Sequence, residues 1–271
     1  MRLFSNLFVF LALLLITFPV FAEDEDSKPK KNSSVYIGGG FVSKQTYLGS
    51  SSRRFIWTPV AAFKYHNQDK NYFNSFEFYG PSASLGLIDK NSFSFGLIWE
   101  YDFGRQRGDD NSLFTLEEID PGHEVGLYFE YKLPHNFSLS TSMLTAVDDP
   151  GDSITADFSL NYTKSVWITF EQRFVNKTSL SYQYGNSEWM DTWFGTPINA
   201  KYTSHTPGSG FYGISIMNNL VSPITDRVAI LINAEYQRLM GDAGDSPLVD
   251  KQGSPNQYSL MVMGLFKFYS F

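Results

Sequence analysis

Residues 93–102 read Phe-Ser-Phe-Gly-Leu-Ile-Trp-Glu-Tyr-Asp. Phe93, Phe95, Leu97, Trp99 and Tyr101 fall on one side of a period-2 pattern, and Ser94, Gly96, Ile98, Glu100 and Asp102 on the other. A helix would scatter each set around its circumference, whereas a strand gathers it on one face. The run is about as long as the ~9–11 residues a tilted strand needs to cross a bilayer, and longer than the ~5–6 of a typical soluble strand. Its apolar face ends in Trp and Tyr, the residues of a membrane-interface girdle.

The same alternation recurs outward from this stretch. Val125, Leu127, Phe129 and Tyr131 alternate with Glu124, Gly126, Tyr128 and Glu130. Ile154, Ala156, Phe158, Leu160 and Tyr162 alternate with Thr155, Asp157, Ser159 and Asn161; Val228, Ile230, Ile232, Ala234 and Tyr236 do so with Ala229, Leu231, Asn233 and Glu235. The faces opposite the apolar ones are mostly small or charged, with Glu100, Glu124, Glu130, Asp157, Asn161, Asn233, Glu235 and Lys267 directed toward a wet or polar-packed lumen, either open as a narrow pore or paired across a closed interior. A secreted soluble sandwich would also alternate. Strand length, aromatic content and the last strand favour an all-β fold, an antiparallel transmembrane β-barrel, whose closure leaves no edge groups unpaired in lipid.

Composition agrees. Aromatic residues make up 17 % of the 271-residue chain and charged residues only 18 %, against ~25 % in an ordinary soluble domain. The absence of Cys excludes a disulfide scaffold, a Cys-ligated metal and a thiol nucleophile. A net charge of −7 argues against nucleic acid as a partner. After residue 22, the longest apolar run is Leu260 to Phe266, interrupted by Gly264, so no membrane helix is expected there. The start differs: Met1-Arg2, an apolar run from Leu7 to Ile16, and Val20-Phe21-Ala22 have the form of a signal peptide over 1–22, cut after Ala22. The polar stretch 23–33 reads as a flexible periplasmic lead-in, and 34–271 as an outer-membrane barrel.

Alternating segments occur at about 34–43, 54–65, 70–79, 81–88, 91–103, 123–132, 136–146, 152–163, 166–174, 177–185, 210–218, 226–238 and 256–268. That is an odd number, while single-chain bacterial barrels have even counts. Short turns face the periplasm and long loops the outside, which puts 104–122, 186–209 and 239–255 outside and 133–136 and 219–225 in the periplasm. Forward and backward counts then clash between 153 and 209. Either a segment near 166–185 is not a separate strand, or 186–209 hides another; the expectation is about 12 strands, within 10–14.

In the last strand Tyr258, Leu260, Val262, Phe266 and Phe268 share a face, and Phe271 follows as a terminal aromatic of the kind that outer-membrane assembly machinery engages. Four histidines, His66, His123, His135 and His205, are the only imidazoles available to activate a nucleophile. His123 and His205 lie at the long-loop side, where a hydroxyl and a carboxylate could meet them, but no catalytic spacing is recognisable. Arg105, Arg107, Asp109 and Asp110 begin the 104–122 loop as a mixed-charge run, solvated or directed at lipopolysaccharide phosphates.

The most distinctive stretch is Tyr236-Gln237-Arg238-Leu239-Met240-Gly241-Asp242-Ala243-Gly244-Asp245-Ser246-Pro247, followed by Gly253-Ser254 and Gln257. Gly241 and Gly244 permit unusual backbone angles, Asp242 and Asp245 can cap turns, and Pro247 stiffens the exit. A cation site from Asp242, Asp245 and Ser246 would lack the ~6–8 oxygen ligands usual for such a site. This stretch resembles the C-terminal signature of the MipA/OmpV family of outer-membrane proteins, a Tyr-x-Arg-Leu strand end leading into a Gly-Asp-Ala-x-Asp-Ser-Pro loop. Gly38-Gly39-Gly40 before Tyr47-Leu48-Gly49-Ser50, and Trp193-Phe194-Gly195, agree with it less specifically. The family's usual aromatic-x-Phe ending matches Phe266-Lys267-Phe268, after which this chain adds Tyr269-Ser270-Phe271. With no catalytic spacing among the histidines and too few ligands in the 239–255 loop, no enzyme activity, cofactor or metal is expected. The resemblance implies a scaffold joining a murein lytic transglycosylase, MltA, to a bifunctional penicillin-binding protein in peptidoglycan assembly. The OmpV-type alternative is a surface or adhesin-type protein, and the polar inward face separately suggests a passive channel. Outer-membrane lipid and lipopolysaccharide are the expected surroundings.

Overall fold

Period-2 alternation gives twelve strands: β1 (Ser34–Gln45), β2 (Arg53–His66), β3 (Ser75–Tyr79), β4 (Ser82–Asp89), β5 (Phe93–Asp102), β6 (Gly122–Lys132), β7 (Phe137–Ala146), β8 (Ile154–Trp167), β9 (Arg173–Gly185), β10 (Gly210–Pro223), β11 (Val228–Leu239) and β12 (Asn256–Ser270). The computed structural model describes residues 33–67, 72–148, 152–167, 173–198 and 202–270. Each strand pairs antiparallel with its neighbours in sequence, and β1 closes the barrel on β12 with Ser34 opposite Ser270. Residues 1–22, expected to be a signal peptide, residues 23–32 of the expected lead-in and Phe271 lie outside the described residues; Ser33, the last residue of that lead-in, is buried, its hydroxyl accepting from His66 N at 3.1 Å.

The pattern of exposure along β6 is that of a wall between two media. His123, Val125, Leu127, Phe129 and Tyr131 are exposed, whereas Gly122, Glu124, Gly126, Tyr128 and Glu130 are half-buried. Exposed apolar side chains continue around the circumference, among them Phe41, Trp57, Leu97, Leu160, Leu180 and Leu260. Aromatics edge this outer surface at both ends. Tyr236 with Tyr258 and Trp99 with His123 sit toward the long loops; Phe93 with Phe129 and Phe137 with Tyr162 sit toward the short turns. An apolar band between two aromatic girdles is the outer surface of a lipid-spanning barrel, and closure pairs backbone groups that hydrocarbon cannot satisfy.

The strand conflict resolves at 166–174. That segment is the end of β8 and the start of β9, with the connection 168–172 between them, so twelve strands suffice and the odd strand disappears. Among its described residues the 186–209 loop contains no strand; it contains a helix, α1 (Ser187–Phe194). Two further short helices, α2 (Gly241–Asp245) and α3 (Pro247–Asp250), lie in the loop after β11. The connections 67–74, 90–92, 133–136, 168–172 and 224–227 now fall at one end, with both barrel termini. The loops 46–52, 103–121, 147–153, 186–209 and 240–255 fall at the other, with the tight 80–81 hairpin.

The lumen is less uniformly polar than the alternation suggests. On the β7–β11 side it carries a hydrogen-bonded ladder: Asn161 donates to Ser140 Oγ at 2.9 Å and accepts from Ser179 Oγ at 2.7 Å. Gln183 donates to Ser215 Oγ at 3.1 Å and accepts from Gln237 at 3.0 Å, and Asn233 donates to Asn219 at 2.6 Å. Around the β1–β12 seam the interior is apolar instead. Gly38 and Gly40 of β1 pair with Leu265 and Met263, which pack with Val60 and Leu231.

Candidate functional site

Among the described residues, the loop end holds most of the fully buried side chains, Asn161 of the lumen being an exception. Asn186 caps α1, its carboxamide oxygen accepting from Trp189 N at 3.0 Å. One face of α1 then presents Trp189, Met190 and Phe194, which bury against Leu239, Ala243 and Val249 from the end of β11 and its loop. A second cluster joins Tyr47 from the first loop, Leu113 and Leu116 from 103–121, Tyr202 from 186–209 and Leu248 of α3. Four loops thus fold inward over the barrel mouth as a layer with its own small core. Fully burying one such side chain is worth ~1.5–3 kcal/mol, so the layer holds together by the same effect as a domain core.

Polar groups stitch the loops where the apolar contacts end. Arg105, only 4 % exposed, donates from Nη1 to Trp193 O at 2.7 Å and from Nη2 to Thr192 O at 3.3 Å, satisfying carbonyls at the α1 C-terminus. Burial pushes its guanidinium down to about 10. Arg105 therefore cannot meet a lipopolysaccharide phosphate, as its mixed-charge surroundings suggested; the neighbouring Arg107 remains exposed. Tyr202 donates to Ser112 O at 2.6 Å, and burial, with Tyr47 nearby, raises its hydroxyl to about 12. Asp110 accepts from Ser112 N and Oγ and from Thr46 Oγ1, at 2.9, 2.8 and 3.1 Å. Burial works against its charge, yet these bonds outweigh that and hold the carboxyl below its ordinary value. Arg54 reaches the same loop through Asp109 at 2.8 Å.

The 236–257 stretch supplies much of this layer. Gly241 takes φ +55°, a left-handed conformation that lets the chain turn from β11 into α2. Asp242 Oδ2 accepts from Gly208 N at 2.8 Å, and its carbonyl lies 2.8 Å from His205 Nε2, tying the loop to 186–209. Ser246 is completely buried; its hydroxyl donates to Phe194 O at 2.6 Å and accepts from Leu248 N, capping α3, of which Pro247 is the first residue. Gly253 approaches Gly49 so closely that a Cβ would lie 1.9 Å from the Gly49 carbonyl oxygen. Gln257 reaches across the barrel seam, accepting from Gly49 N at 3.1 Å and donating to Ser50 O at 3.3 Å. Asp245 is exposed and outside these contacts, and Arg238 points outward from the strand end. Asp242 and Ser246 thus spend their oxygens on different loop partners, and among the described residues no group of acidic or imidazole side chains is placed to hold a metal ion.

Beneath the layer lies a cavity of about 360 Å³, bounded by Lys44, Glu100, Glu124, Glu235, Gln237 and Trp193 among others. Three of the inward carboxylates read from the sequence therefore meet at the lumen mouth. The histidines do not join them. His123 stacks on the outer girdle, its Nδ1 accepting from Trp99 Nε1 at 3.2 Å, and His205 pairs by its backbone with Thr196. His66 ends β2, and His135 occupies a turn at φ 60°.

The buried loop layer was missed in the sequence, although one signal for it exists. After Asn186, the apolar residues Trp189, Met190, Trp193 and Phe194 recur at helical spacing.

The fold and this mouth define the class: a twelve-stranded outer-membrane β-barrel with inward-packed loops. Residues 37–268 match the family described as MltA-interacting protein MipA, and the chain belongs to that family. No curated protein matches it. Among solved structures, it is similar to a bacterial polysaccharide outer membrane secretin, at 9 % identity and TM-score 0.42, over 89 % of this chain and 100 % of the other. It is also similar to the NanC porin (10 % identity, TM-score 0.40, 87 % and 100 % covered) and to OmpT of Vibrio cholerae (8 %, 0.33, 92 % and 100 %). Values this low carry nothing about function.

Proposed function

We propose that the protein is an outer-membrane scaffold that holds a murein lytic transglycosylase beside a penicillin-binding protein, coupling murein hydrolysis to synthesis. Membership of a family described by its interaction with MltA is the observation that carries this reading. The inward-packed loops support it, because a barrel whose mouth is covered by a packed loop layer is better suited to anchoring than to bulk transport. In this reading the signal peptide is removed after Ala22, and the partners dock from the periplasm on the short turns and the 23–33 segment. The loop motif Gly241, Asp242, Ser246 and Pro247 serves the barrel's own integrity, and no residue acts as a catalyst. Affinity purification of the mature barrel from detergent-solubilised envelopes should recover a transglycosylase or penicillin-binding protein. Repeated recovery of the barrel with lipopolysaccharide alone would count against the scaffold.

The hydrogen-bonded lumen and the cavity at its mouth favour a second reading, a narrow channel for small polar solutes. Planar-bilayer recording separates the two: the scaffold predicts a silent membrane, and stable unitary steps would move the channel to the front.

A further inference from the structure

The loop layer leaves Arg238 unused. It stands on the outward face at the loop end of β11, where its Nη1 donates to Asn256 Oδ1 at 2.9 Å. Tyr236 Oη donates to the same oxygen at 2.9 Å, and the Tyr236 and Tyr258 rings pack at 5.1 Å. Arg53 occupies the corresponding edge of β2, also exposed, with Nη2 donating to Ser43 O and Oγ at 3.2 and 3.0 Å. Below it Phe55 and Phe41 stack at 5.0 Å.

Strand register relates the two arginines. Phe55 pairs with Ser43, Ser43 with Leu260, and Leu260 with Ala234, so β2, β1, β12 and β11 form one ladder row. Two residues further toward the loops Arg53 pairs with Gln45 and Tyr258 with Tyr236, and Arg238 lies two residues beyond Tyr236 on β11. At ~4.8 Å between strands and ~3.4 Å per residue, the two Cα atoms stand about 16 Å apart across the barrel seam. Long side chains can close much of that span. Among the described residues neither guanidinium has a carboxylate within 4.0 Å, whereas Arg54, Lys64, Lys132 and Lys251 each do. The floor between them is aromatic and exposed, Phe55 at 69 % and Tyr258 at 52 %, and it runs without a break into the apolar band.

Two cations that spend their bonds on neutral acceptors, above an apolar floor on the lipid side, match an amphiphile with an anionic head. Guanidinium pairs bidentately with phosphate, and aromatics at this depth pack along sugar and upper acyl chain. We propose that Arg53 and Arg238 clamp the phosphates of an anionic glycolipid in the leaflet at the loop end, with Tyr236, Tyr258 and Phe55 beneath its sugar and acyl chains. This assigns lipid-phosphate binding to the barrel seam and not to the 103–121 loop. It rests on the barrel lying in a membrane and is independent of the scaffold reading.

The test is native mass spectrometry of the barrel in detergent micelles, titrated with bisphosphorylated lipid A and with the same lipid dephosphorylated. Wild type should bind the phosphorylated form about tenfold or more tightly, as expected for lost charge-assisted bonds. The R53A/R238A variant should lose that preference while keeping the heat-modifiable migration of a folded barrel, and R107A should retain it. Equal affinity of wild type for the two lipids would overturn the proposal without any variant having to fold. So would an unchanged preference in R53A/R238A, or its loss in R107A. Displacement of lipid A by millimolar inorganic phosphate would instead mark a free-anion site.

Discussion

The hydroxyl of Ser246 joins two loops at once, donating to the last carbonyl of α1 and capping α3 from a fully buried position. Replacing it leaves a buried acceptor and an uncapped helix, each costing about 1 kcal/mol or more. Ser246→Ala should therefore loosen the 186–209 and 240–255 loops by about 2 kcal/mol, read as faster limited proteolysis there with far-UV dichroism unchanged. Asp110 gives the layer an acid limit. Its carboxyl titrates below the unfolded value of ~3.9, so the folded layer binds fewer protons than the unfolded one. The stability this contributes is complete above that unfolded value and is lost as pH falls through the lower folded one. Proteolysis of 103–121 should rise on acidification below about pH 4, and Asp110→Asn should flatten the dependence. That Arg105 is buried was not legible in advance. Among Arg107, Asp109 and Asp110 it reads as one more solvated charge, and only the arrival of α1 carbonyls from a distant loop gives it partners.

At the scale of elements, the strands were legible because each faces two media. Outward positions must satisfy lipid and inward ones a filled lumen, and that requirement writes itself residue by residue into β5, β6, β8 and β11. The division of 166–174 between β8 and β9 was not, because Val166, Trp167 and Ile168 make one continuous apolar run and no Gly or Pro stands between Trp167 and Arg173. The loop helices escaped for a different reason. They are short, and their burial depends in good part on loops distant in sequence, as where Trp189 and Phe194 pack on Leu239 and Val249. Wall positions make a sharp prediction. Leu127, 48 % exposed midway along β6, faces the apolar band, so Leu127→Arg should cost about 2–4 kcal/mol in folding into lipid vesicles, measured by urea titration. Leu127→Ile, equally apolar, should cost a small fraction of that.

For the whole molecule, the two ends of the barrel are built differently. The loop end is packed with buried aromatic and aliphatic side chains, and the 236–257 motif by which the sequence resembles its family supplies several of them. The turn end carries both barrel termini and the short connections, including 90–92 with Asn91 and Ser92 exposed. If partners of the murein machinery use this protein, that end is the face available to them. The most direct measurement is in-cell photocrosslinking from a probe at Asn91, against one at the exposed loop residue Glu117. The scaffold account predicts a transglycosylase adduct from position 91 and none from position 117. Adducts from 117 alone, or none from any turn position in cells expressing the transglycosylase, would contradict it.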